Sequence, residues 1–177
     1  MVLAMTATPL AMTQHGHALS PIATVIQLHV LGMFAPSFFT GALIARFGSP
    51  RIMWCGAGLL AAHVALSVSG IGLASYAFAL ALLGVGWNFL YIGGTTLLTT
   101  AYRPVEKARA QAANDLIILV VAFLSSLGAG VLLDAIGWRL MNVMLLPWLL
   151  MVVAAVWWLG HAHHRSLLRG STRVESR

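Results

Sequence analysis

Residues 75–100 read SYAFALALLGVGWNFLYIGGTTLLTT, a run of 26 residues without a single Asp, Glu, Lys or Arg. A helix of roughly 20 apolar residues crosses a bilayer core of about 30 Å. A closed barrel also satisfies every backbone group in lipid, but its strands alternate apolar and polar residues instead of forming continuous apolar runs. This stretch therefore predicts a transmembrane helix and an all-α membrane protein.

The composition of the whole chain supports the same fold class. Of its 177 residues, 60% are hydrophobic and 8% are charged, and the mean hydropathy is +0.90. Soluble domains are about 45–50% apolar and about 25% charged, and disordered chains are more polar still. The net charge of +6 would suit nucleic acid, but the basic residues lie in short clusters between apolar runs. We therefore expect a lipid bilayer and no nucleic acid as partner.

The apolar segments predict one helical bundle over residues 1–160, followed by a basic tail at 161–177. A short segment, Val2–Met12, reaches only about half the bilayer core. Pro36 and Pro147 are each predicted to kink a helix, because proline lacks the backbone N–H and clashes with the preceding turn. The segments long enough to span are Ile22–Phe47, Ile52–Gly72, Ser75–Thr100, Ala110–Ile136 and Leu140–Gly160.

The basic residues indicate an orientation. Connections between successive helices alternate between the two sides of the membrane, and one side receives nine of the ten Lys and Arg residues while the other receives Arg139. Cytoplasmic loops carry the excess of positive charge, so we expect the C-terminus in the cytoplasm. The nine are Arg46, Arg51, Arg103, Lys107, Arg109, Arg165, Arg169, Arg173 and Arg177.

Polar residues at membrane depth are the candidates for function, since they are costly there and usually have a role. The run 75–100 carries a polar stripe at helical spacing. Such a stripe either lines an aqueous path or joins helices, and we favour the path because Asn and Tyr are bulky for close packing. Gln27 is predicted to face the same path from the preceding helices. The polar stripe consists of Gly84, Asn88, Tyr91, Thr95 and Thr99.

Two further polar residues, Gln111 and Asp115, are four apart and share a helix face. Asp115 is interpreted either as a proton- or substrate-linked carboxylate in a cavity, or as an interfacial acid near the positive end of its own helix. The histidines His29 and His63 fit helix packing better than a proton relay. No nucleophile–base pair, phosphate loop or metal-ligand spacing is present, so the sequence predicts no enzyme, no cofactor and no metal site.

Three stretches resemble a known family. The run GALIARFGSPR, with Gly41, Arg46, Gly48 and Arg51, resembles the signature loop of the major facilitator superfamily, although Ala45 stands where that loop has an acidic residue. The runs GWNFLYIGGTT at 86–96 and RAQAAND at 109–115 are similar to a bacterial efflux-permease branch of that superfamily.

The resemblance implies more than the residues themselves indicate. The family has twelve helices in two halves, and this chain resembles the C-terminal half with its first helix shortened. Such proteins are secondary active transporters that bind a small-molecule substrate between the halves. The resemblance implies proton-coupled efflux by alternating access at the bacterial inner membrane, with a missing N-terminal half or a second copy as partner. The alternative is a non-transporting membrane remnant or scaffold that pairs with another membrane chain.

Overall fold

A computed structural model describes residues 1–101 and 104–158, and within these ranges the chain is built from helices and turns. The predicted all-α membrane fold is confirmed: four stretches, Leu19–Phe47, Ser49–Ser69, Leu73–Thr99 and Lys107–Trp158, are long and apolar enough to cross a membrane. The predicted tail at 161–177 lies outside the described residues. The helices are α1 (Val2–Gln14), α2 (Leu19–Phe34), α3 (Ser37–Phe47), α4 (Ser49–Ser69), α5 (Leu73–Ala101), α6 (Lys107–Val143) and α7 (146–158), with a 3-10 turn at Pro104–Glu106.

Helix α5 lies between α2 and α4 and packs closely against both. Its glycines permit this approach, because a Cβ at Gly84 would lie 2.5 Å from the carbonyl oxygen of His29 on α2. On the α4 side, a Cβ at Gly86 would lie 3.0 Å from the carbonyl oxygen of Gly56. Small residues at such contacts let helix backbones approach in a membrane, so these positions set the close packing of α5 against α2 and α4.

Two buried histidines join the same three helices. Nδ1 of His29 on α2 lies 2.9 Å from the carbonyl oxygen of Leu80, and Nδ1 of His63 on α4 lies 2.8 Å from that of Ala79. A carbonyl only accepts hydrogen bonds, so each Nδ1 carries the hydrogen. The imidazoles thus attach α2 and α4 to neighbouring carbonyls of α5, as the packing interpretation predicted.

Both prolines follow a break in a helix. Pro36 lies in the break between α2 and α3, where an interruption was predicted. Pro147 is the second residue of α7, directly after the turn at 144–145 that follows α6, so an interruption is present here too. The first turn of a helix tolerates proline because its N–H groups have no partner within the helix. A further interruption lies inside α6 at Gly137, which has a φ of +74°.

Contacts at one end of the bundle bring three connections together. Nε2 of His17, between α1 and α2, lies 2.9 Å from the carbonyl oxygen of Ile71, between α4 and α5. Tyr76 at the start of α5 packs on Trp138 just after the bend in α6, with ring centroids 5.1 Å apart. Nε1 of Trp138 donates to the carbonyl of Ser67 at 2.9 Å. These are the connections predicted to share the side with little positive charge.

Helix α6 is unevenly packed. Its buried residues begin at Ala129, which belongs to the core cluster formed with α1. Residues 107–128 contain no buried side chain. The first part of α6 therefore presents large apolar side chains, such as Leu116 and Phe123, without a partner in the described chain.

Candidate functional site

Asn88 of the polar stripe is buried on α5, with 2% of its surface exposed. Its Nδ2 donates to the carbonyl oxygen of Met33 on α2 and to Oγ of Ser37 on α3, both at 2.7 Å. Its Oδ1 lies 2.8 Å from Oγ1 of Thr40, which also lies 2.7 Å from the carbonyl oxygen of Pro36. One side chain of α5 thus binds both sides of the break between α2 and α3.

The contacts of Asn88 follow from the interruption of the helix backbone at Pro36. Pro36 cannot donate a hydrogen bond, so the helix ladder cannot run unbroken through the break. Backbone groups freed in a membrane helix must find other partners, because lipid offers none. Asn88 supplies a donor to the carbonyl of Met33 at the end of α2. The side chain therefore joins helices, which is the second interpretation of the polar stripe, while its role in a substrate path stays a prediction.

Thr40 is the one buried residue of α3. The adjacent Gly41 has no neighbouring atom within 4 Å of the position where a Cβ would lie. Phe38 and Phe39 of the same helix are exposed. The buried hydroxyl of Thr40 thus joins the eleven-residue α3 to the amide of Asn88 on α5, and α3 also packs against α4.

The other predicted path residues on α2 and α5 are more open. Tyr91 is exposed and stacks on Trp87, with ring centroids 4.7 Å apart and an interplanar angle of 13°. Thr95 is partly buried, and its hydroxyl hydrogen-bonds to the carbonyl oxygen of Tyr91 at 2.8 Å. Gln27 is exposed on α2. No contact in the described residues joins Gln27 to Tyr91 or Thr95, so their shared path stays a prediction.

Gln111 and Asp115 lie on the sparsely packed first part of α6. Gln111 is partly buried and Asp115 is exposed. The side chain of Asp115 accepts a weak hydrogen bond from Nδ2 of Asn114, at 3.3 Å. The structure thus places these polar groups on a surface of α6, apart from the contacts around Asn88.

The signature-like loop forms the junction of α3 and α4. Arg46 lies in the last turn of α3, and its guanidinium carbon is 5.3 Å from the ring centroid of Phe47. Gly48 has a φ of +85°, which a residue with a Cβ rarely adopts, and it allows the sharp turn into α4. Arg51 is exposed in the first turn of α4. Both guanidinium groups are therefore available at the end of the bundle.

Sequence reasoning missed Ser37 and Thr40 as partners of Asn88. The available signal was their position one and four residues after Pro36 within an apolar segment. Ser and Thr hydroxyls often compensate for the backbone groups that a proline frees in a membrane helix. It also missed Trp87, which was read only as part of a family motif.

The side chains of α5 are uncharged. Within 1–101 and 104–158, no group of three His, Cys, Asp or Glu side chains could hold a metal ion. Helix α5 carries no Asp, Glu, Lys or Arg along its 29 residues. Its polar and aromatic side chains can form hydrogen bonds and stacking contacts with an uncharged molecule.

The chain is similar in sequence to several known transporters. The riboflavin transporter RfnT of Brucella anthropi is 44% identical over 147 residues, which are 83% of this chain and 37% of that protein. The uncharacterised MFS-type transporters YddS and YdeG of Bacillus subtilis are 39% and 38% identical over 120 and 121 residues. Each of these two matches covers 67% of this chain and 28% of the relative. No solved structure matches the chain.

The chain thus spans 37% or less of the length of these curated relatives. Apolar helices and transporter relatives together make it an integral membrane protein. The sequence profile of the Major Facilitator Superfamily matches residues 1–175, almost the whole chain. With the signature-like loop at the junction of α3 and α4, this match shows that the chain belongs to the Major Facilitator Superfamily.

Proposed function

We propose that this chain forms the C-terminal half of a secondary active transporter that works by alternating access. The observation that carries the proposal is the profile match over residues 1–175, combined with a span of 37% of the length of the riboflavin transporter relative. In this family the substrate binds between two halves near the middle of the membrane. The chain then contributes one wall of the path.

The proposed substrate is riboflavin or a closely related flavin. The support is the relative from Brucella anthropi, which is 44% identical across 83% of this chain. The uncharged surface of α5 suits a flavin ring, because the isoalloxazine of riboflavin is neutral and planar. The proposed direction is efflux, and the proposed driving force is the proton gradient, with Asp115 as the proton-binding group.

The sparsely packed first part of α6 is the proposed surface for the missing half. Leu116, Phe123 and their neighbours are apolar and suit either lipid or protein. Gln111 and Asp115 lie on the same helix, and polar groups at membrane depth generally face protein or water instead of lipid. A protein partner satisfies both kinds of residue, so the proposed occupant is the N-terminal half of a transporter.

The proposed orientation gives a labelling prediction. After the exposed Cys55 is replaced by Ser, a cysteine at Ala18 should react with a membrane-impermeant maleimide in intact cells. A cysteine at Val105, which is 96% exposed in the 3-10 turn, should stay unlabelled, because the connection it occupies is expected in the cytoplasm. Permeabilised cells provide the control, since both cysteines should then react. Labelling of Val105→Cys in intact cells as strong as that of Ala18→Cys would contradict the proposed orientation, and labelling of Val105→Cys alone would reverse it.

A flux experiment tests the function. The chain is reconstituted into vesicles with the part of the Brucella anthropi riboflavin transporter that it does not match, and riboflavin movement is followed by fluorescence. We expect flux that requires both parts and collapses when a protonophore removes the proton gradient. Inverted membrane vesicles should accumulate riboflavin if the direction is efflux. A properly inserted complex without flux in either direction would instead support the non-transporting scaffold.

A further inference from the structure

Four glycines lie within α5, and three of them have a packing reason. A Cβ at Gly84, Gly86 or Gly93 would lie within 3.0 Å of an atom of α2 or α4. At Gly94 an added Cβ would meet nothing within 4 Å. The space beside Gly94 is therefore open, and a larger side chain at this position would project into it.

Gly94 continues a strip that begins with two aromatic rings. Trp87, Tyr91 and Gly94 are spaced by four and three residues, which places them on one face of α5. The rings of Trp87 and Tyr91 stack nearly parallel, with centroids 4.7 Å apart. Trp87 is partly buried while Tyr91 is 37% exposed, so the second ring of the stack is open to its surroundings.

From these observations we propose that Trp87, Tyr91 and Gly94 form a binding platform for a planar, uncharged aromatic ring. The ring of the ligand stacks on the open side of Tyr91 and extends over Gly94, where a side chain would otherwise block it. Aromatic rings favour offset stacking of this kind, and Trp87 holds Tyr91 in the required orientation. The absence of charged residues from α5 matches a neutral ring. The identification of that ring as a flavin rests on the proposed function.

The test measures binding without transport. The 177-residue chain, paired with the complementary part of the Brucella anthropi riboflavin transporter, is placed in lipid nanodiscs and titrated with lumichrome, which has a planar tricyclic flavin ring system without the ribityl chain. A flavin ring stacked on Tyr91 loses fluorescence, because the electron-rich aromatic side chain quenches its excited state by electron transfer. We expect saturable quenching that riboflavin competes for and that ribitol or tetraethylammonium leaves unchanged.

Three variants locate the binding to the platform. Tyr91→Leu should weaken lumichrome binding about tenfold, since stacking on an aromatic side chain contributes about that much per ring. Gly94→Leu should also weaken binding, because the added side chain fills the space over which the ligand ring extends. Tyr91→Phe keeps the ring and should bind nearly as well as the original chain. Phe78→Leu is the matched control, because Phe78 is also exposed on α5 but lies two and a half turns from Trp87, on the opposite face.

The outcomes separate this inference from the proposed function. Unchanged binding by Tyr91→Leu and Gly94→Leu, or an equal loss in Phe78→Leu, would overturn the platform. Riboflavin flux through the reconstituted transporter without any lumichrome binding to the chain would also overturn it and leave the function intact. Platform binding in a complex that carries no riboflavin would support the platform and contradict the proposed transport.

Discussion

Vesicles whose membrane contains only the 177-residue chain should transport no more riboflavin than vesicles without protein. In the proposed transporter the substrate path lies between two halves, and this chain provides one of them. The first part of α6 has no buried side chain, and polar groups such as Gln111 and Asp115 are costly at membrane depth when they face lipid. We therefore expect the isolated chain to self-associate through α6 or to be degraded.

The measurement compares three preparations at equal protein content: the chain alone, the complementary part of the Brucella anthropi riboflavin transporter alone, and both together. Sizing in mild detergent should show the isolated chain as a dimer or larger species, and the combined preparation as a single complex of one copy each. A stable monomer, or riboflavin flux from the chain alone, would show that α6 needs no protein partner.

The membrane character of the fold could be predicted from the sequence because it depends on long apolar runs. The run at 75–100 became α5, and the interruption at Pro36 became the break between α2 and α3. Local chemistry also explains the errors. Helix α4 begins at Ser49, three residues before the predicted Ile52, because Pro50 fits the first turn of a helix.

The contacts of the candidate site could not be predicted in the same way. Asn88 binds Met33, Ser37 and Thr40, which are 48 to 55 residues away along the chain. Helical periodicity identifies the face on which Asn88 lies but not the helix that this face meets. From the sequence, the bulk of Asn88 favoured a role in a substrate path. In the structure, the backbone freed at Pro36 supplies hydrogen-bond partners for this buried amide. Similarly, Tyr91 was placed on the polar stripe without its stacking partner Trp87, because a spacing of polar residues does not identify an aromatic contact.

Substitution of Asn88 by Leu should weaken both the fold and transport in the complex of this chain with the complementary part of its relative. Leu has a similar size but removes the donor to Met33 and leaves the hydroxyls of Ser37 and Thr40 without their partner on α5. A buried group left unsatisfied costs about 1–3 kcal/mol. We expect a clearly lower melting temperature and about tenfold less complex in the membrane, since 1.4 kcal/mol corresponds to that factor.

The size and pattern of the losses in melting temperature and flux distinguish an amide that joins helices from one that lines the substrate path. Thr40→Val removes one of the three contacts and should lower the melting temperature less than Asn88→Leu does. Thr24→Val is the matched control, because the exposed Thr24 bonds only to the carbonyl of Ser20 in its own helix. Its melting temperature and flux should stay unchanged.

If Asn88→Leu instead abolishes flux while the melting temperature and abundance stay normal, Asn88 acts on the substrate and not on the break. If Asn88 joins helices, the variant loses the contact that holds α3 at Thr40, and α3 then disturbs the junction with α4. Any fall in flux per folded complex should come only from that disturbance.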